Sequence, residues 1–326
     1  MQINGTIIIE EISYNSVRDF LKEISYGGSI YEQLSGGKNF VFRGLGSDKY
    51  ELIPSVLRYN ANILGRLTFN EPNEFKQIQI EYNLISSFFT VCDRLGLYVP
   101  NAVKLKKSFS TLMDISFLTC PIWIPEDLYE LAALAQHYGI PTRLLDWTHD
   151  INVALYFAIR DNLKKLDSPV NIVIWAIDLY AIQDKIQNGL VGSISKIEYG
   201  PLKIIQPPYH FNPYLAAQKG LFTHWQKQYA QIQKGVPVYV PNDKVDRRPL
   251  DKLLEEYINT QKIEIGDKKL MYKYTITIDK VTEAYYYLKM RGFDASTIFP
   301  GYAGVAKSCC ETFLANALEG KFRREI

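Results

Sequence analysis

The sequence predicts an α+β fold: a central, mainly antiparallel sheet with flanking helices and a helical insertion over about 60–130. Three stretches carry this expectation. Asn39-Phe40-Val41-Phe42-Arg43-Gly44 alternates toward a glycine, Val170–Ile177 is dense in β-branched and aromatic residues, and Lys273–Ile278 alternates cleanly. The helical segments between them differ in length, unlike the regular strand-helix alternation of a parallel sheet. At 47% hydrophobic residues, the 326-residue chain has enough apolar material for a substantial core.

In chain order, Thr6–Ile9 reads as a short strand and Ser16–Ile24 as a helix capped by Asn15 or Ser16. The strand ending at Arg43-Gly44 follows. Asn73–Phe89 is an amphipathic helix with Phe75, Ile78, Tyr82, Ile85 and Phe89 on one side. Residues 91–130, broken by Pro100, Pro121 and Pro125, predict two or three short helices. Val170–Ile177 is placed inside the sheet, Leu179–Asn188 as a helix and Lys203–Ile205 as a strand. Gln218–Trp225 reads as a turn into a strand that the sheet takes from Thr223 onward, Asp243–Arg248 as an exposed loop and Pro249–Tyr257 as a short helix. A helix over Lys280–Met290 ends at Gly292, and a last helix of about Gly304–Leu318 carries Cys309 and Cys310 as small core residues.

Bulk properties exclude several classes of function. A formal charge of +2 and a pI near 8.1 give no global footprint for nucleic acid, though a local basic groove stays open. Four cysteines show neither zinc spacing nor a disulfide framework, and the four histidines contain no i, i+4 pair, so no metal is expected. The N-terminus lacks a basic region followed by a signal-length apolar run, and no run of about 18 apolar residues occurs, so a cytoplasmic chain without membrane contact is expected. Walker, dinucleotide-fingerprint, His-Glu-x-x-His and Gly-x-Ser-x-Gly motifs are absent from the sequence.

The densest polar chemistry lies in residues 131–159. Leu128, Leu131, Ala132, Ala135 and Tyr138 recur at helical spacing, Gly139 is a C-cap, and Pro141 stops the helix. Asp150 caps the next helix, whose apolar pattern runs through Val153, Ala154, Tyr156, Phe157 and Ile159. The join therefore presents Arg143, Asp146, Trp147, Thr148 and His149 beside a helix N-terminus, an end that attracts anions. The bland alternative is a buried Arg143–Asp146 pair with Trp147 as core filler. Arg43, at a strand end beside glycine, either takes a phosphate bidentately or makes a structural salt bridge. His137 and His210, each beside an aromatic residue and near proline, divide between hydrogen-bonded structural roles and substrate contact.

Phe42-Arg43-Gly44-Leu45, then Ala135-Gln136-His137-Tyr138-Gly139-Ile140-Pro141-Thr142-Arg143-Leu144-Leu145-Asp146-Trp147-Thr148, then Ala154-Leu155-Tyr156-Phe157-Ala158 resemble the FRG domain, a bacterial family named for its tripeptide. Asn212-Pro213 with Gln218–Thr223, and Thr297–Pro300, look like further family motifs. The resemblance implies an N-terminal helix/strand module at 1–38, the FRG domain at 39–305 and a C-terminal helix at 306–326.

The order of parts also resembles ADP-ribosyltransferases, an analogy of arrangement. In that superfamily an early Arg or His holds the cofactor, a second strand bearing Ser-Thr-Ser or Tyr leads into a helix, and a late Gln/Glu-x-Glu loop carries the catalytic acid. By this analogy Arg43, Asp146, Thr148 and Gln218 are the candidate catalytic residues, and Arg43, Gly44, His137, Tyr138, Arg143 and Trp147 the candidate cofactor-binding residues. The implied co-substrate is NAD⁺, losing nicotinamide through an oxocarbenium-like state. The implied acceptor is RNA, DNA or protein, in phage defence or a toxin system with an antitoxin or other regulatory partner. Gln218-Lys219-Gly220 lacks the glutamate expected two residues after Gln, so Asp146 or a glutamate from elsewhere would have to serve. The alternative is a nucleotide- or nucleic-acid-binding module without turnover. Arg43, Arg143, Asp146, Trp147, Thr148 and Gln218 are all expected to line one cleft.

Overall fold

A computed structural model describes residues 8–36, 39–58, 73–110, 122–164, 170–187, 201–210, 212–228, 230–233, 236–239, 244–267 and 269–320. Seven strands form the main sheet: β1 (Ile9–Tyr14), β2 (Phe40–Leu45), β4 (Leu145–Thr148), β5 (Val170–Asp178), β6 (Leu202–Ile205), β7 (Gly220–Trp225) and β11 (Met271–Ile278). β3 (Ile122–Trp123) pairs with β8 (Lys227–Gln228), and β9 (Ala230–Gln233) with β10 (Val236–Tyr239), outside it. The helices are α1 (Val17–Glu23), α2 (Ser29–Ser35), α3 (Glu74–Arg94), α4 (Ala102–Ser110), α5 (Tyr129–His137), α6 (Ile151–Ile159), α7 (Leu179–Ile182), α8 (Pro213–Ala217), α9 (Leu250–Gln261), α10 (Val281–Met290), α11 (Ala295–Ile298) and α12 (Tyr302–Leu318).

The sheet runs β1-β11-β5-β2-β4-β7-β6. Only β1 and β11 are parallel; the other neighbours are antiparallel, so the expected α+β, mainly antiparallel sheet is the one found. β5 lies inside it, and its side chains divide the core. Ile172, Ile174 and Ala176 join Phe40, Phe42 and the buried faces of α6 and α10, while Val173, Trp175 and Ile177 join Val41, Leu45, Trp147 and α9 on the other face. A third cluster gathers Ile78, Ile85 and Phe89 of α3 against Leu131, Ala132 and Leu134 of α5. Of the insertion expected over about 60–130, α3 and α4 are the described helices; residues 59–72 and 111–121 lie outside the described residues.

Two expectations are corrected. The first strand runs Ile9–Tyr14 rather than Thr6–Ile9, with residues 1–7 outside the described residues. Its position is set by its partner: pairing from Ile9↔Met271 to Tyr14↔Ile276 lets Ile12 and Tyr14 pack on the core and leaves Glu10 and Glu11 exposed. Ser16, not Asn15, then caps α1, accepting from the Asp19 N–H at 3.1 Å. Cys309 and Cys310 are exposed, not core. The buried stripe of α12 is Gly304, Ser308, Glu311 and Ala315, and helical geometry turns the cysteines away from it. Glu311 accepts a 2.8 Å hydrogen bond from the Tyr156 hydroxyl, which pins α12 to α6.

Candidate functional site

β4 sorts its residues by parity. Leu145 and Trp147 enter the core on the α9 side, so Asp146 and Thr148 point to the opposite face of the sheet. The turn before β4 is built by α5, which ends as the sequence predicts: Gly139 takes φ +93, where a glycine is favoured, and the Ile140 N–H returns to the Ala135 carbonyl at 3.0 Å. After β4, the Asp150 carboxylate accepts from the Asn152 N–H at 3.0 Å and starts α6. Gly44 is explained by packing: a Cβ there would collide with the Ala154 carbonyl of α6. α6 occupies the space that the missing Gly44 side chain leaves.

β2 and β4 share one bridge, Phe42↔Thr148, and Arg43 reaches across beyond it. Its Nη1 donates to the Asp146 backbone carbonyl at 2.7 Å and to Asp146 Oδ2 at 3.2 Å. The pair is asymmetric: the Arg43 side chain is 13% exposed and that of Asp146 48%. Gln136 Nε2 donates to Asp146 Oδ1 at 2.5 Å, and the Thr142 hydroxyl donates to Gln136 Oε1. Arg58, bonded from Nε to the Ile53 carbonyl at 2.9 Å, lies within the field of Arg43 and Asp146. Partial burial first, and the like charge of Arg43 second, hold its pKa below the ordinary arginine value, while Asp146 opposes that shift. His137 lies within the field of Asp146, and burial is the main cause that lowers its pKa, so its neutral form is favoured. It packs edge-on to Phe222 at 5.7 Å.

Arg143 and Trp147 do not belong to this surface, which corrects their expected roles in cofactor binding. Arg143 is 5% exposed, with Nε 2.9 Å from both Glu81 oxygens and Nη1 2.6 Å from Glu74 Oε1. Burial lowers its pKa and the Glu81 and Glu74 charges more than reverse that, leaving it raised. Trp123 Nε1 donates to Glu81 Oε2 at 2.6 Å, closing a buried network between α3 and the entry to β4. Trp147 is 2% exposed, and its indole N–H donates to Thr223 Oγ1 at 2.8 Å. The bland alternative was right in kind and wrong in partner: a motif arginine is buried in an ion pair, with glutamates of α3 instead of Asp146.

The remaining candidates divide again. The Thr148 hydroxyl donates to the Gln218 carbonyl at 2.7 Å, and the His149 N–H to the Lys219 carbonyl at 3.0 Å. Lys219 Nζ lies 2.8 Å from Asp150 Oδ2, and the Gln218 carboxamide turns to the Ile298 carbonyl at 3.4 Å. These contacts fasten the turn before β7 to the start of α6. Tyr138 is 56% exposed and meets Tyr214 edge-on at 5.6 Å. His210 is exposed in a turn. Among the described residues, no group of three His, Cys, Asp or Glu side chains is placed to hold a metal ion, and no helix is long and apolar enough to cross a membrane.

Sequence reasoning missed Arg58, Thr142 and Gln136. The last two sit inside the quoted motif, but a neutral side chain carries no sequence signal of a polar role; Arg58 follows Val56-Leu57 with nothing to tie it to Arg43. No curated protein matches the chain, and no solved structure does. The family comparison is positive: residues 38–167, which hold β2, Arg58, α3, α5, β4 and α6, are an FRG domain.

Proposed function

We propose that the FRG domain of this chain binds the diphosphate of NAD⁺ at Arg43 and Arg58 and acts as an ADP-ribosyltransferase-like enzyme on a nucleic acid or protein acceptor, in a toxin or antiviral setting. One observation carries the reading: the Arg43 guanidinium pairs with the half-exposed Asp146 carboxylate, and the Arg58 charge lies within the field of both. Arg43 spends only Nη1 on that carboxylate and Arg58 only Nε on a carbonyl, so the cluster keeps one net positive charge and spare donors for an anion.

In this reading, nicotinamide leaves C1′ of the ribose with the bonding electron pair, and positive charge develops on the ribose. The half-exposed Asp146 carboxylate stabilises that charge. The acceptor then bonds to C1′ and gives its proton to the Asp146 carboxylate, because the turn at Gln218-Lys219-Gly220 supplies no carboxylate to take it.

Binding without turnover is the second reading, favoured by the Thr148 hydroxyl, the Gln218 backbone and Lys219 all being engaged with one another or with Asp150. Purified protein is incubated with NAD⁺, alone and with RNA, DNA or cell extract, and nicotinamide is measured by chromatography while calorimetry measures NAD⁺ binding. Binding with release supports the enzyme, and binding without release supports the second reading. No binding overturns both.

A further inference from the structure

We infer that Gln136 and Thr142 are the positioning residues of this site, a one-way relay of hydrogen-bond donors that holds the Asp146 carboxylate toward its ligand. The inference rests on the reading of Asp146 as a ligand-facing group. The direction of the relay follows from proton counting. The ionised Asp146 carboxylate can only accept, so the carboxamide end 2.5 Å from Oδ1 is Nε2, the donor. Gln136 Oε1 is then the end that meets Thr142 and takes the hydroxyl hydrogen, while the Leu144 N–H donates to Thr142 Oγ1 at 3.1 Å. The flipped amide would set oxygen against carboxylate oxygen, which is unfavourable.

The start of the relay is itself fixed. Thr142 is 1% exposed; its N–H donates to Ser55 Oγ at 3.2 Å, and its carbonyl accepts from the Ser55 hydroxyl and the Val56 N–H, each at 3.3 Å. At the other end, Arg43 Nη1 holds Oδ2 and the backbone carbonyl of the same aspartate. Both oxygens of a half-exposed carboxylate are therefore oriented from the protein side. Without Gln136, Asp146 would keep Arg43 but turn about its own χ angles, and a misplaced charged group costs affinity and rate.

The test compares Thr142→Val, which keeps the shape and removes the hydroxyl, with Thr142→Ser, which restores it. The side-chain carboxamide resonances of Gln136 are followed by NMR, NAD⁺ affinity by calorimetry, and folding by thermal denaturation. The relay predicts that Thr142→Val shifts the Gln136 resonances, speeds their exchange with water and weakens NAD⁺ binding by about tenfold or more, the scale of one hydrogen bond to a charged group. Thr142→Ser stays within about threefold of the parent protein. Folded Thr142→Val with unchanged Gln136 resonances, or indistinguishable behaviour of the two variants, overturns the relay. Should Thr142→Val fail to fold, Gln136→Leu takes its place: weakened NAD⁺ binding at an unchanged melting temperature supports the relay, and parental affinity overturns it. If the parent protein does not bind NAD⁺, the NAD⁺ reading falls, and the Gln136 resonances of the Thr142 variants or, without a folded Thr142→Val, those of Asp146→Asn decide the relay: unchanged resonances overturn it.

Discussion

Two arginines of this chain, Arg43 inside β2 and Arg143 two residues before β4, both lie in family motifs and both meet carboxylates, yet they occupy opposite environments. Arg143 is sealed, with Glu74 and Glu81 as buried partners and Trp123 closing the network. Arg43 has one partner, Asp146, whose side chain is half in water, and the Arg58 charge lies within the field of both. The first arrangement pairs its arginine with two carboxylates inside the fold. The second leaves positive charge uncompensated at the surface. The motif residue type alone does not separate the two; the number and burial of the carboxylates do.

The comparison is broken most severely by Arg143→Ala. Removing it strands two buried carboxylates, and the expected loss is about 3–5 kcal/mol, on the order of 5–15 °C in melting temperature by calorimetric scan. An unchanged melting temperature would show the network to be dispensable.

Acid sensitivity belongs to the sealed region as well. His224 is 1% exposed beside this network, its Nε2 3.1 Å from the Ile124 N–H, and burial first, with the Arg143 charge assisting, brings its pKa from 6.5 to about 4. The fold therefore holds it neutral. As pH falls below 6.5 the unfolded chain takes up the proton and the folded chain does not until near pH 4, so stability falls across that window by about 3 kcal/mol and then levels. Chemical denaturation at a series of pH values measures the slope, and His224→Gln is expected to flatten it. An equal slope in that variant would assign the acid sensitivity elsewhere.

A smaller loss is expected from Trp147→Phe, which keeps an aromatic core residue and deletes the indole N–H donated to Thr223. About 1–2 kcal/mol of stability goes, with NAD⁺ affinity unchanged because the ring faces the core on the α9 side. Reduced NAD⁺ affinity at normal stability would return Trp147 to the site. The smallest effect on stability is expected at Arg43→Ala, about 1 kcal/mol, since water takes over the exposed part of Asp146.

The fold was readable where local pattern and tertiary environment agree. Phe40–Phe42 and Ile172–Ile177 read as near-continuous apolar runs because core lies on both faces of those strands, Tyr274–Ile278 alternates because Tyr274, Ile276 and Ile278 enter one core cluster while Thr275 and Thr277 do not, and the Gly139 and Asp150 caps are local chemistry. The first strand was misplaced because its position depends on β11, more than 250 residues away in sequence. Cys309 and Cys310 were misplaced because α12 buries small and polar residues, Ser308 and Glu311, where an apolar stripe was sought. In the site, Arg43 and Asp146 were found from motif chemistry and are joined in the fold. Arg143 and Trp147 were grouped with them through sequence adjacency, although a strand sends Asp146 and Trp147 to opposite faces and Glu74 and Glu81 lie more than 60 residues from Arg143.

The most direct test of the account is a calorimetric titration of NAD⁺ into Arg43→Ala, run beside its thermal denaturation and that of Arg143→Ala. The account predicts a melting temperature within a few degrees of the parent and NAD⁺ affinity lower by about 30-fold or more, the loss of charge-assisted bonds worth roughly 2–5 kcal/mol. Arg43→Lys, which keeps the charge and loses the planar fork, is expected to fold normally and bind weakly. Parental NAD⁺ affinity in a normally stable Arg43→Ala, or a melting temperature as low as that of Arg143→Ala, would contradict the claim that one arginine serves a ligand and the other the fold.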